Sequence, residues 1–455
     1  MGMGNTEFKT DKRFEGITAF EERVLLASPT MHKTKDEHGN DSWVELEYIR
    51  EAFKENWITC AGTNLTESER ICREYLGAKH VVGLSCGTAS IHLAIKLAAE
   101  KLYGSSTGVT TPQGLGKGGS LYGKRVFCTS LTFSATVNPV LYEDGEPIFI
   151  DSEYETWNMD PKALRKAFEI YPDVKIVIMA HLYGTPGKID EIKAICDEHG
   201  AILIEDAAES LGAIYKDRQT GMWGTYGAIS QNGNKIITGS AGGYLICGTE
   251  EEANKARKWS TQSREAAPWY DHEELGYNYR MSNIIAGIIR GQFEFIDDHI
   301  ARKKEIYKRY RDGLKGFPVQ MNPIGGDESK PNYWLSCMII DKEAIAPCTR
   351  SEREYTYRTE KGKSSPQEIL DVLNAFNAEG RPIWKPMHLQ PIFRNNAYIT
   401  AMGSGRGISN AYIEGETAKD VSADIFDRGL CLPSDIKMTE EEQDRVIEII
   451  RRSFG

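Results

Sequence analysis

Short apolar runs alternate with stretches of helical period along most of this chain. Residues 81–84, 126–127, 147–150, 174–180 and 201–204 are apolar but for Lys175, too short for helices, and bounded by polar turns. That pattern predicts strands buried on both faces. Between them Ile91, Ala94, Ile95 and Ala98 recur at helical spacing, and a helix over 189–199 is closed by Gly200. Strand–helix–strand units of this kind demand a parallel sheet with right-handed crossovers, so the expected fold is α/β. Residues 25–32 read as a short strand ending in a turn, and 45–56 as a helix carrying Leu46, Ile49 and Phe53. A second helix is expected over 251–264, and one long helical region over 282–314 leads into a smaller C-terminal domain. The division is placed at 21–290 and 291–455. Three stretches interrupt the pattern and read as enlarged loops: 33–42, 103–124 and 348–365. Residues 1–20 are polar and predict a loosely held end.

Composition narrows the function classes. The 55 Lys and Arg against 66 Asp and Glu give a net charge of −11, which argues against a nucleic-acid or anionic-membrane surface. Hydrophobic residues make up 40% and aromatic ones 10%, as in a globular enzyme. The nine cysteines are scattered without a CxxC pair, and the histidines show no HxxxH or HExxH spacing, so neither a disulfide framework nor a metal site is expected. Reduced thiols and the lack of an apolar leader fit a cytoplasmic protein, and no apolar run is long enough to cross a bilayer.

The chemistry centres on residues 201–248. The 201–204 strand ends at Glu205-Asp206, and strand ends of open α/β sheets are where ligands bind. A polar turn, Ser230-Gln-Asn-Gly-Asn-Lys235, then meets the apolar Ile236-Ile237. Lys235 is either a solvated loop lysine or a partly desolvated amine able to form a Schiff base; Asp206 is either a helix cap or a partner for a protonated pyridine nitrogen. The Gly87-Thr88 turn opens a helix, and reads as a plain cap or a phosphate cradle. Phe133 is a core ring or a stacking face. His181 lines a site or serves as a structural donor, and His92 reads as a packing residue. GKGGS at 116–120 lacks the spacing of a phosphate loop.

EDAAE at 205–209 and SQNGNK at 230–235 resemble, in order and spacing, the sugar-nucleotide aminotransferases of the DegT/DnrJ/StrS type. TSLTFSAT at 129–136, HLYG at 181–184, STQSRE at 260–265, GYNYRMSN at 276–283 and RPIWKPMH at 381–388 extend the resemblance over nearly all of residues 24–455. It implies the pyridoxal-phosphate-dependent transferase fold of type I, aspartate-aminotransferase-like: a large domain with a mainly parallel sheet, a smaller C-terminal α/β domain, and a homodimer with shared active sites. It implies Lys235 as the cofactor-bearing lysine and Asp206 as the pyridine partner. Gly87, Thr88, Ser230 and Asn232 would hold the phosphate, Phe133 the ring face, and Glu209 a cofactor or substrate group. Asn278 would reach the phosphate of the second subunit, unless it is only a polar turn before a helix. His181, Tyr183, Arg264 and His388 would meet the substrate. Among family members the motifs look most like those of enzymes that aminate C4 of UDP-2-acetamido-2,6-dideoxy-hexos-4-ulose with L-glutamate as donor. Another nucleotide keto-sugar, such as a GDP-linked perosamine precursor or a 3-keto sugar, is the alternative; a non-catalytic regulator would be expected to lose Lys235 or Asp206. Gln231, and TGSAGG at 238–243, depart from the family's usual phrasing.

Overall fold

In the computed structural model, which describes residues 5–104, 110–111, 114–115, 118–351, 353–404 and 420–455, the apolar runs become strands of one nine-stranded sheet. They are β1 (His80–Leu84), β2 (Arg125–Thr129), β3 (Glu146–Ile150), β4 (Ile176–Ala180), β5 (Ile202–Asp206), β6 (Tyr226–Ser230), β7 (Gly243–Cys247), β8 (Tyr398–Thr400) and β9 (Gly403–Ser404). The spatial order is β9-β8-β3-β2-β4-β5-β6-β7-β1. From β8 to β6 every pairing is parallel. β7 runs against both β6 and β1, and β9 against β8. β1 therefore points the same way as the parallel strands, and its C-terminal end shares their edge.

Alternate strand residues turn to opposite faces. Val126 and Cys128 join Ile91, Leu93 and Ile95 of the helix α1 (Gly87–Tyr103) in one core. Phe127 joins Val177, Leu203 and Ile192 in the core on the other face. With helices on both sides, all five residues of β4 are buried, which is why the run carries no polar alternation. Beyond the large sheet, Val319–Met321, Cys337–Ile340, Gly429–Cys431 and Arg381–Pro382 form a small antiparallel sheet packed on the helices Pro366–Ala375 and Glu440–Arg452.

Several expectations change. The N-terminal stretch is not loose: Asn5–Thr10 is helical, and Phe8, Phe14 and Phe20 are buried in the core that surrounds the small sheet. Among its polar residues, three phenylalanines six apart supply the apolar surface that ties it down. The region 282–314 is two helices, Asn283–Phe293 and Ile296–Gly313. The break falls where Phe295 leaves helical dihedrals and stacks on His32 at 3.7 Å between ring centroids. The expected 25–32 strand is absent; only an isolated bridge joins Val24 to Ala378. Residues 33–42 hold a hairpin, Lys33–Lys35 against Asp41–Trp43, its turn closed by Asp36, which accepts from the amides of His38 and Asn40. The 348–365 segment also begins as a hairpin, Cys348–Arg350 against Tyr355–Tyr357. Of the loop expected over 103–124, residues 105–109, 112–113 and 116–117 lie outside the described residues, whereas Leu121 is fully buried.

Candidate active site

The shared strand edge gathers the chemistry. β1 turns through Ser85-Cys86 into α1, whose first amides have no partner within the helix. A side chain at Gly87 would bring its Cβ within 2.8 Å of Ser230 Cβ at the end of β6, so only glycine lets the helix start approach that strand. β5 ends on Asp206, whose carboxylate accepts from the Thr136 hydroxyl (2.7 Å) and the Ala208 amide (3.1 Å). The Thr132 and Thr136 hydroxyls are themselves 2.7 Å apart, so the turn after β2 fixes the orientation of Asp206.

Past β6, the tight turn in which the Lys235 amide donates to the Asn232 carbonyl (2.9 Å) presents the lysine side chain to the same edge. The Lys235 ammonium sits over the Trp334 ring, 4.3 Å from its centroid, and 3.9 Å from Glu209 Oε1, beyond hydrogen-bond reach. Glu209 is occupied elsewhere: it accepts from the Tyr183 amide (2.8 Å) and the Trp384 indole (3.2 Å). Burial pushes the Lys235 pKa below its ordinary value, and the Arg381 charge adds to this, against the pull of Glu209 and Asp206. Burial also raises the Glu209 carboxyl, with the Asp206 charge adding and Lys235 opposing.

These groups surround a cavity of about 290 Å³. Of the residues singled out from the sequence, Gly87, Thr88, Phe133, His181, Asp206, Glu209, Ser230, Asn232 and Lys235 line it. Tyr183, Arg264, Asn278 and His388 do not. Tyr183 is buried behind Glu209, where its oxygen accepts from the Trp384 amide at 2.9 Å. Arg264 is exposed, with its guanidinium 4.0 Å over the Tyr270 ring, and Asn278 is exposed beside Thr261. His388 lies in the core, accepting from the Ser130 hydroxyl (2.6 Å) and donating to Asp420 (2.9 Å), which leaves no ring nitrogen for a ligand. His181 lines the cavity with its ring, but both nitrogens are engaged: Nδ1 accepts from the Gly187 amide and Nε2 donates to buried Glu205. His92 donates to Glu143 at 2.7 Å, the packing role expected of it. The residues added by the fold are Trp334 and Trp384, which wall the cavity, and Thr136, which holds Asp206. Trp384 stands in RPIWKPMH and Trp334 in Trp334-Leu335-Ser336, which also resembles a family landmark; nothing in their local sequence says that they flank a lysine 99 or more residues away.

The donor set fits pyridoxal phosphate. A desolvated amine stands ready for its aldehyde, an anchored carboxylate for its ring nitrogen, helix amides and the Thr88 and Ser230 hydroxyls for its phosphate, and the half-exposed Phe133 for its ring face.

Comparison with known proteins agrees. The sequence profile of the DegT/DnrJ/EryC1/StrS aminotransferase family matches residues 41–451. EpsN of Bacillus subtilis (strain 168), named as a pyridoxal phosphate-dependent aminotransferase, is 38% identical over 422 residues, covering 90% of this chain and 93% of its own. GDP-perosamine synthase of Caulobacter vibrioides is 29% identical over 426 residues, covering 93% of this chain and 96% of that one. The crystal structure of a family member from Brucella abortus superposes with a TM-score of 0.72 at 22% identity, covering 90% of this chain and 95% of that one, so the fold is shared. The chain belongs to the DegT/DnrJ/EryC1/StrS aminotransferase family and is a pyridoxal-phosphate-dependent enzyme.

Proposed function

We propose that this enzyme transfers an amino group from L-glutamate to C4 of UDP-2-acetamido-2,6-dideoxy-hexos-4-ulose, yielding UDP-4-amino-4,6-dideoxy-N-acetylglucosamine. The observation that carries the aminotransferase site is the Lys235 amine, partly buried over Trp334 and outside hydrogen-bond reach of Glu209, in one cavity with an anchored Asp206. The HLYG, IEDAAE, NGNKIIT and RPIWKPMH phrases support the 4-keto sugar.

When bound, the cofactor supplies an electron sink that makes the α-carbon of the amino donor acidic. Lys235 Nζ takes the proton from that carbon and, in the second half-reaction, delivers one to C4 of the sugar. Its depressed pKa favours the neutral amine that this task needs. Asp206, held by Thr136 and Ala208, keeps a proton on the pyridine nitrogen. Gly87, Thr88, Ser230 and Asn232 hold the phosphate, and Phe133 covers the ring. Glu209 braces Tyr183 and Trp384 beside them. Trp334 and Trp384 exclude water from the Lys235 amine.

Asn278, exposed on its own chain, serves the second site of a homodimer. Mixing Asn278→Ala chains with Lys235→Ala chains then restores activity, because one of the two heterodimer sites is wild type. Failure of the two to complement removes the shared site. The nine unpaired thiols support a cytoplasmic location. The kinship to GDP-perosamine synthase favours a second reading, a GDP-linked keto-sugar. Supplying UDP- and GDP-linked 4-amino sugars separately, and following the cofactor's absorbance as each gives up its amine, decides the matter. Turnover of only the GDP-linked compounds rejects the UDP assignment.

A further inference from the structure

The turn that carries Lys235 is held from outside on both sides of the lysine. Before it, the Asn234 carbonyl accepts from the Trp334 indole at 2.6 Å. After it, the Ile236 carbonyl accepts from His299 Nδ1 at 2.8 Å. Further along, the Thr238 amide donates to Gln292 Oε1 at 3.2 Å. His299 and Gln292 both lead to one carboxylate. His299 Nε2 lies 3.0 Å from His32 Nε2, and His32 Nδ1 lies 2.7 Å from Glu45. Glu45 also accepts from the Gln292 side-chain amide at 2.7 Å and the His32 backbone amide at 3.1 Å. Glu45, Gln292 and His299 are buried, and the His32 ring is stacked on Phe295.

Both ends of this relay accept. The Ile236 carbonyl has no proton to give, and Glu45 is ionised: burial would raise its pKa, yet hydrogen bonds from His32 and Gln292 hold it below its ordinary value. Both Nδ1 atoms must therefore donate outward, and a neutral imidazole that donates from Nδ1 shows a lone pair at Nε2. Two neutral rings would set lone pair against lone pair at 3.0 Å, a distance at which a hydrogen bond belongs. One added proton between the rings resolves the conflict. Burial lowers the His299 pKa, with the Ile236 carbonyl opposing, so the proton belongs to His32, beside the Glu45 charge. His32 then donates to Glu45 and to His299, and neutral His299 donates to Ile236. The charged groups that face the pair are Glu45 from the helix Val44–Lys54, Asp298 and Lys303 from the helix Ile296–Gly313, and Lys235, which lines one narrow space with His299 and Lys303. Without the added proton, His299 either turns its N–H to His32 and drops Ile236, or keeps Ile236 and repels His32.

We propose that His299, backed by His32 and Glu45, is the positioning residue of Lys235: one proton shared by the two imidazoles locks the peptide that follows the lysine and so fixes the reach of its amine into the cavity. The inference rests on the reading of Lys235 as the cofactor-bearing lysine.

Asparagine and glutamine separate the two nitrogens of His299, because the amide nitrogen of Asn takes the place of Nδ1 and that of Gln the place of Nε2. The test follows the rate at which Lys235 is trapped with pyridoxal phosphate and borohydride, against pH, in wild type, His299→Asn and His299→Gln, with melting curves to confirm that both variants are folded. Wild type is expected to lose trapping on the alkaline side, where the shared proton leaves. His299→Asn keeps the wild-type rate at neutral pH and lacks that alkaline loss, since its donor needs no added proton. His299→Gln, with no donor for Ile236, is slower by about tenfold or more. Equal rates in the two folded variants, or an unchanged alkaline loss in His299→Asn, overturn the positioning role. Neutron diffraction from wild-type crystals in heavy water reads the relay without any variant: a deuteron between the two Nε2 atoms is expected, and its absence overturns the shared proton. Trapping on a lysine other than Lys235 in wild type instead overturns the functional reading on which the inference rests.

Discussion

Lys303 is a buried lysine and Lys235 a partly buried one, and they flank the same stretch of backbone around Trp334. Lys303 is 5% exposed and donates to the carbonyls of Trp334 (3.0 Å) and Ser434 (2.6 Å). Burial lowers its pKa to about 8. Lys235 is also depressed by burial, yet it faces a ring, a carboxylate at 3.9 Å and a cavity of about 290 Å³. Burial makes either amine easier to deprotonate. What separates them is commitment: Lys303 is a strut between a helix and two loops, whereas Lys235 keeps its lone pair available to something that enters.

The largest expected effect tests that contrast directly. Borohydride reduction with added pyridoxal phosphate labels the peptide containing Lys235 in wild type and in Lys303→Met. Lys235→Ala loses the label and at least on the order of a thousandfold in turnover. A label on Lys303 reverses the comparison. Next comes stability. Lys303→Met strands two carbonyls and costs about 1–3 kcal/mol at pH 7, read from urea unfolding. Because the folded Lys303 has a pKa of about 8 against an ordinary 10.5, the unfolded chain binds more protons between these values. The stability that wild type holds over Lys303→Met therefore grows as pH rises through that window, by roughly 2–3 kcal/mol, and is lost again as pH falls through 8. A gap independent of pH means that Lys303 is not a titrating strut. The smallest effect belongs to Glu209→Gln. Removing that carboxylate takes away a charge that holds the Lys235 proton, so the acid limb of pyridoxal phosphate capture moves to lower pH. A move to higher pH contradicts the role of Glu209 as counter-charge.

Much of this site was legible because its parts are local. Asp206 ends an apolar run, and the order of strands in a parallel sheet brings such ends to one edge whatever lies between; Lys235 is legible instead from the polar turn before Ile236-Ile237, where no strand forms. Gly87 and Thr88 were legible in the same way, from a strand feeding a helix. The RPIWKPMH phrase resembles a family segment near the substrate mouth, but no local period sets Trp334 or Trp384 against Lys235, since both arrive from the C-terminal half through packing. Thr136 went unread for another reason: its hydroxyl matters through Asp206, 70 residues later. Both hairpins, at 33–43 and 348–357, read as loops in the sequence because their strands are three residues long and largely exposed, with no apolar alternation to betray them. The break before Ile296 left no proline or glycine in the sequence; a ring stacked on His32 makes it.

The buried N-terminal phenylalanines bear on how the protein is made. Arg13 donates to Glu368 at 3.0 Å across 355 residues of chain, and Phe8 and Phe14 share a core with the helix Glu440–Arg452. Domains fold as they emerge from the ribosome at roughly 5–20 residues per second, so this greasy segment waits on the order of 20 to 90 seconds for the helix that covers it. During that interval its three phenylalanines are open to a chaperone or to another copy of the chain, and their burial waits on residues made more than four hundred positions later.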